Sequence, residues 1–225
     1  MTRLVFGDSF LGIERGLEQW YRNPNEFQSM SNRLHVCETL FGDFDAKVMV
    51  LLQDAADEET ILIQKSLTPD TPLRHGPKIG TNKKLVKWLG KFYPVDIEGR
   101  NAKSCGLYYA NAVWLIKKGG DISSPIYAQE AVLKACAPVL DATIGNLQNL
   151  ELILAFGKSA YLALKQKFSI TESWEEALNN NVLIDVGRPF KIGAVIHPRA
   201  SVSSAITQTR IENLLKDARI VRESA

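Results

Sequence analysis

The stretch "VMVLLQDAADEETI", Val48 to Ile61, decides the fold. Five apolar residues lead, with no polar residue between them. Such a run is the pattern of a strand buried on both faces. Gln53 and Asp54 follow, then Ala55 and Ala56, then Asp57, Glu58 and Glu59. A cluster of acids after a buried strand admits four readings: solvated loop, helix cap, metal site or catalytic base. For Asp57, Glu58 and Glu59 the acidic first turn of a helix is the simplest, because acids there complement the helix dipole.

Outward from this stretch, strands and helices alternate. Strands are expected at 47–52, at "CGLYYANAVWL" (105–115), at "ELILAFG" (151–157) and at "KIGAVIHP" (191–198). Helices are expected at 83–92, 125–147, 158–168 and 204–222, with two more at 9–22 and 27–40. Residues 64–82 carry three prolines and two glycines and read as a long loop. Strands alternating with helices give a parallel sheet covered on both sides. The expected fold is a three-layer α/β/α domain with a central four-stranded parallel sheet. It spans 1–225 as a single domain, with helices in 1–44 packed on its core. No G-x-G-x-x-G follows the first strand, so a dinucleotide-binding fold is disfavoured.

Composition sets the outer limits. The chain has 225 residues, 45% hydrophobic and 23% charged, with a net charge of +2. Those values suit a globular domain with a sizeable core and no strong overall field. No apolar run is long enough for a membrane span. No apolar signal-peptide core precedes Asp8 and Glu14. A cytoplasmic, monomeric protein without a membrane partner is expected. Cys37, Cys105 and Cys136 are widely spaced and form no C-x-x-C, so neither a disulfide framework nor a thiolate metal site is expected.

Ligands of open parallel sheets bind beyond the carboxyl ends of the strands. The four strands bring Gln53 and Asp54, Asn111, Gly157 and Lys158, and His197 and Pro198 to that rim. Taken singly, Asn111 reads equally as a structural amide, and His197 as a satisfied core histidine. Three such residues at the same end of successive strands point to a site. A divalent metal held by Asp54, Asp57 and Glu58 is an alternative, although no H-x-x-x-H spacing supports it and these three form no D-x-D. No G-x-S-x-G elbow supports a serine hydrolase. Basic residues from Arg74 to Lys91, with Lys117, Lys118, Lys158, Arg188, Lys191 and Arg199, are expected on the side of the site. They read either as a phosphate-binding surface or as solvated helix faces.

Four short motifs occur in order: "LQDAAD" (52–57), "YYANAV" (108–113), "LAFGKSA" (154–160) and "HPRAS" (197–201). Together they resemble the uracil-DNA glycosylase superfamily over residues 45–220. The resemblance implies hydrolysis of the N-glycosidic bond of uracil or another deaminated base in single- or double-stranded DNA. A flipped base would enter a tight pocket. Asp54 would orient or activate the attacking water. His197 would stabilise charge developing on the base. Asn111 would read the base edge, and Gln53 would contact the same base. Lys78, Pro198 and Arg199 would contact substrate, the last two through the DNA backbone or minor groove.

The chain departs from the family's pattern at several positions. Leu52 stands for a glycine, Ala55 for a proline, and Ala56 for a tyrosine found in one branch. Lys78 or Ile79 stands where a base-stacking aromatic would be, and Val202 where a bulky leucine would fill the gap left by the flipped base. Leu115 replaces the cysteine of the iron–sulfur branches, so no cluster and no other cofactor is expected. A relative that binds nucleic acid or a nucleotide without cleaving it is the second expectation.

Overall fold

The computed structural model describes residues 17–22, 41–54, 57, 80–93, 106–119 and 126–220. In chain order the elements are β1 (Tyr21–Arg22), β2 (Phe41–Gly42), β3 (Val48–Asp54), α1 (Gly80–Leu89), β4 (Leu107–Val113), β5 (Ile116–Lys117) and α2 (Ile126–Gly145). They continue with β6 (Leu152–Phe156), α3 (Lys158–Phe168), α4 (Trp174–Asn180), β7 (Leu183–Asp185), β8 (Lys191–Val195) and α5 (Ser204–Asp217).

The main sheet runs in the order β2-β4-β3-β6-β8-β7. Its four inner strands, β4, β3, β6 and β8, are mutually parallel. The sheet is wider than expected, because β2 and β7 add antiparallel edges. The chain is thus an α/β protein with a mixed sheet.

The opening stretch shows why helices cover both faces. Val48, Val50, Leu107, Leu152 and Leu154 pack with Leu85, Trp88 and Leu89 of α1 and Ile211, Leu214 and Leu215 of α5. Met49, Leu51, Ile153 and Ala155 pack on the other face with α2 and α3, among them Val132, Leu140, Tyr161 and Leu164. Alternate residues of one strand therefore serve two cores. All four residues from Val48 to Leu51 are fully buried. Each such side chain contributes about 1.5–3 kcal/mol of hydrophobic burial. Trp88 stacks on Phe156, with centroids 6.3 Å apart, and ties α1 to β6.

Several expectations are corrected. The strand expected at 47–52 runs from Val48 through Asp54, so Gln53 and Asp54 are its last residues. The strand expected at 105–115 stops at Val113, and the chain pairs again at Ile116. The helix expected at 9–22 does not reach its end, since residues 18–20 turn and Tyr21–Arg22 form β1. Antiparallel pairing with Ile116–Lys117 gives that backbone its partners. Residues 41 and 42, placed in the N-terminal helical part, form a strand on β4. Gly80 to Asn82, placed in the loop, are the first turn of α1. The expected helix at 27–40, and the 9–16 part of the first, lie outside the described residues.

α4 and β7 were not anticipated. Ser173 caps α4: its hydroxyl accepts the Glu176 N–H at 3.1 Å, and the Glu176 carboxylate accepts the Ser173 N–H at 2.7 Å. This is a reciprocal capping box. Among the described residues no helix is long and apolar enough to cross a membrane. Ser173→Ala is expected to cost about 1 kcal/mol of stability, measured as a lowered urea midpoint with an unchanged slope.

Candidate functional site

Parallel pairing puts the carboxyl ends of β4, β3, β6 and β8 on one rim. β3 is in register with β4 there, with Leu52 opposite Asn111 and Asp54 opposite Val113. Just past β4 the chain turns into β5, which delivers Lys117. Its Nζ donates to Asp54 Oδ2 at 2.7 Å, and the two side chains are 26% and 21% exposed. The Lys117 backbone is held from two sides. It pairs with Tyr21 of β1 and forms a parallel bridge with Asp57. Asp57 is therefore in extended pairing and not in the first turn of a helix. Glu58 and Glu59 lie outside the described residues.

His197 follows β8 by two residues. Its Nδ1 accepts the Arg199 N–H at 3.1 Å, and its carbonyl accepts the Ala200 N–H at 2.9 Å. Pro198 between them is buried. Lys84 of α1 donates from Nζ to the Ala200 carbonyl at 2.9 Å, pinning this loop to the helix. With Nδ1 serving as acceptor, the neutral ring carries its proton on Nε2, a donor. Burial pushes the His197 pKa below its ordinary 6.5. Asp54 opposes that shift, while Arg199, Lys117 and Lys84 add to it.

Gly157 makes the approach possible. It joins β6 to α3 with φ of 98°. A Cβ at this position would lie 3.0 Å from His197 Cβ, 3.2 Å from His197 Cδ2 and 3.4 Å from Gln53 Oε1. The imidazole and the Gln53 amide thus both crowd onto a bare glycine. Only a residue without Cβ accommodates the positive φ and the contact together.

Asn111 lies deeper in the sheet. It is 6% exposed, and its buried Oδ1 has no hydrogen-bond partner among the described residues. An unmet buried acceptor costs about 1–3 kcal/mol. A ligand N–H would remove that cost.

The rim thus gathers Gln53, Asp54, His197 and Arg199, with Asn111 alongside Leu52. Lys78 lies outside the described residues. Among the described residues the basic side chains do not form one surface, and Arg74 and His75 lie outside them. Lys84, Lys117 and Arg199 act on His197. Lys191 begins β8, at the opposite end of the sheet, and Arg188 lies in the turn leading into it. Lys158 pairs with Glu175 at 3.2 Å, and Lys91 with Glu212 at 2.7 Å. Lys118 donates to the Glu18 carbonyl. Trp114 is 1% exposed and belongs to the core. Among the described residues no cluster of three His, Cys, Asp or Glu side chains is placed to hold a metal ion. The particular roles of Lys117, Lys84 and Gly157 went unrecognised. The short apolar bridge "VWLI" from Asn111's strand to Lys117 was the available signal.

Two outcomes follow from this geometry. The unfolded chain binds a proton at His197 from about pH 6.5 downward, and the folded chain only at lower pH. Stability should fall as pH drops through that window, and His197→Gln should flatten that part of the dependence in urea titrations from about pH 8 to about pH 5. Gly157→Ala should cost about 1–3 kcal/mol through backbone strain and move the His197 ring signals in NMR spectra.

The chain matches no protein-family model and no curated protein.

Proposed function

We propose that the chain hydrolyses the N-glycosidic bond of uracil, or of another deaminated base, in DNA. The observation that carries this reading is Asn111: a buried amide, toward the carboxyl end of β4 in a parallel sheet, whose oxygen has no donor among the described residues. The imide N3–H of uracil is such a donor, and uracil O4 accepts from the same amide's NH2. Cytosine offers an acceptor at N3 and a donor at N4, so the pairing would reverse and be rejected.

Three strand-to-strand steps separate β4 from β8, about 14 Å. On this reading the base would lie between Asn111 and His197. In the reaction, water adds to sugar C1′ as the bond from C1′ to the base nitrogen breaks. The electron pair leaves with the base and spreads onto its O2. The Nε2–H of His197 donates to that oxygen and stabilises the charge. Asp54 has one oxygen on Lys117, and the other would orient the water. The four ordered motifs, with their resemblance to uracil-DNA glycosylases, support the same assignment.

The second reading is a protein of this fold that binds nucleic acid or a nucleotide without chemistry. The Asp54–Lys117 ion pair favours it, because one oxygen of the carboxylate is already engaged by an ammonium.

Oligonucleotides bearing uracil, hypoxanthine or xanthine, single- and double-stranded, separate the two. Excision of at least one is expected. His197→Ala should slow it about a hundred- to a thousand-fold, and Asp54→Asn by about a hundred-fold or more. Salt-dependent binding with no abasic product from any of the three bases would reject the enzyme in favour of the binder.

A further inference from the structure

We propose that Lys117 is a positioning residue of this site: its ammonium fixes where the Asp54 carboxylate points and keeps that carboxylate from pairing with His197. The kinetic half of the inference rests on the base-excising reading; the structural half does not.

The geometry argues for it in three steps. First, Lys117 is not a loose surface lysine. Its backbone is held by Tyr21 on one side and bridged to Asp57 on the other, so the base of the side chain is fixed. Its Nζ meets Asp54 Oδ2 at 2.7 Å, with both side chains mostly sheltered from water. A sheltered, charge-assisted contact of this length is the stronger kind.

Second, Asp54 has a competing partner. The charged groups acting on His197 are Asp54 from β3, Lys117 from β5, Lys84 from α1 and Arg199 from its own loop. Of these only Asp54 favours the protonated ring. Gln53, the neighbour of Asp54 on β3, crowds onto Gly157 together with His197, and a carboxylate released near the imidazole would favour the protonated ring and pair with it. The ring would then be a cation bound to Asp54. Neither group would remain placed for a substrate.

Third, among the described residues Lys117 is the cation that contacts Asp54. Lys84 is directed to the Ala200 carbonyl, and the Arg199 backbone N–H to His197 Nδ1. Lys117 is thus the cation in contact with the carboxylate, and it arrives from a strand segment outside the main sheet.

The test uses the full chain as wild type, Lys117→Met, Lys117→Arg, Asp54→Asn and the Asp54→Asn/Lys117→Met double variant. The titration of the His197 ring is followed by NMR, with its signal assigned by its loss in His197→Gln. Lys117→Met should raise the His197 midpoint, and Lys117→Arg should restore it. In the Asp54→Asn background the same Lys117→Met change should move the midpoint less, because no carboxylate is there to be released. An unmoved midpoint, or an equal shift in both backgrounds, overturns the proposal.

The kinetic arm reads kcat and KM on the base that wild type excises. Lys117→Met should lower kcat about ten-fold with KM changed less than about two-fold, and Lys117→Arg should recover most of it. Loss confined to KM overturns a positioning role. If wild type excises nothing, the enzymatic reading fails while the titration still judges Lys117. If Lys117→Met does not fold, the wild-type Lys117 ammonium signal replaces it. That signal should sharpen through pairing and broaden in Asp54→Asn, and no difference between the two overturns the proposal.

Discussion

Parallel backbone pairing in the middle of the sheet is the constraint from which the rest follows. Val48 is in register with Leu107 on one side and with Leu152 on the other, and Leu152 with Lys191. Four strands so aligned must all end on one edge, whatever their side chains. Residues far apart in sequence are brought to one rim by hydrogen bonds that carry no chemical information themselves. The alternation of Val48 and Val50 against Met49 and Leu51 locks that register, since a slip of one residue would exchange the two cores.

Much of this was legible in the residues, and the reason is physical. β3, β6 and β8 are short apolar runs bounded by polar residues, and burial on both faces demands that pattern. α3 has its expected bounds, Lys158–Phe168, because a glycine precedes it and a left-handed Ser169 ends it. The elements that escaped notice are those too short for periodicity. β1 and β5 have two residues each and β7 has three. They exist because a neighbouring backbone offers partners, which no local pattern records. α4 was different: Ser173 and Glu176 stand at capping-box spacing and were readable.

The same division runs through the site. Gln53, Asp54, Asn111 and His197 were identifiable because a strand's last residues have a known destination. What each side chain touches was not. The pairing of Asp54 with Lys117 depends on a turn after β4. The tautomer of His197 depends on a backbone N–H two residues later. The solitary Oδ1 of Asn111 is a property of its surroundings. The basic residues show the limit most plainly, since Lys84 and Lys191 look alike in sequence and lie toward opposite ends of the sheet.

The two-stranded ribbon of β1 and β5 bears on how the molecule assembles. It joins Tyr21 to Lys117 across a long stretch of chain with two-residue strands, although Tyr21 and Ile116 are buried. Loop closure of such length is entropically costly, and each inner strand repays its own with a run of five to seven residues. The hydrophobic layers should therefore consolidate early, and the ribbon should zip last. On that order Lys117 reaches Asp54 only once the globule is otherwise complete. The nascent protein would thus pass through a stage with a finished interior and an unset carboxylate.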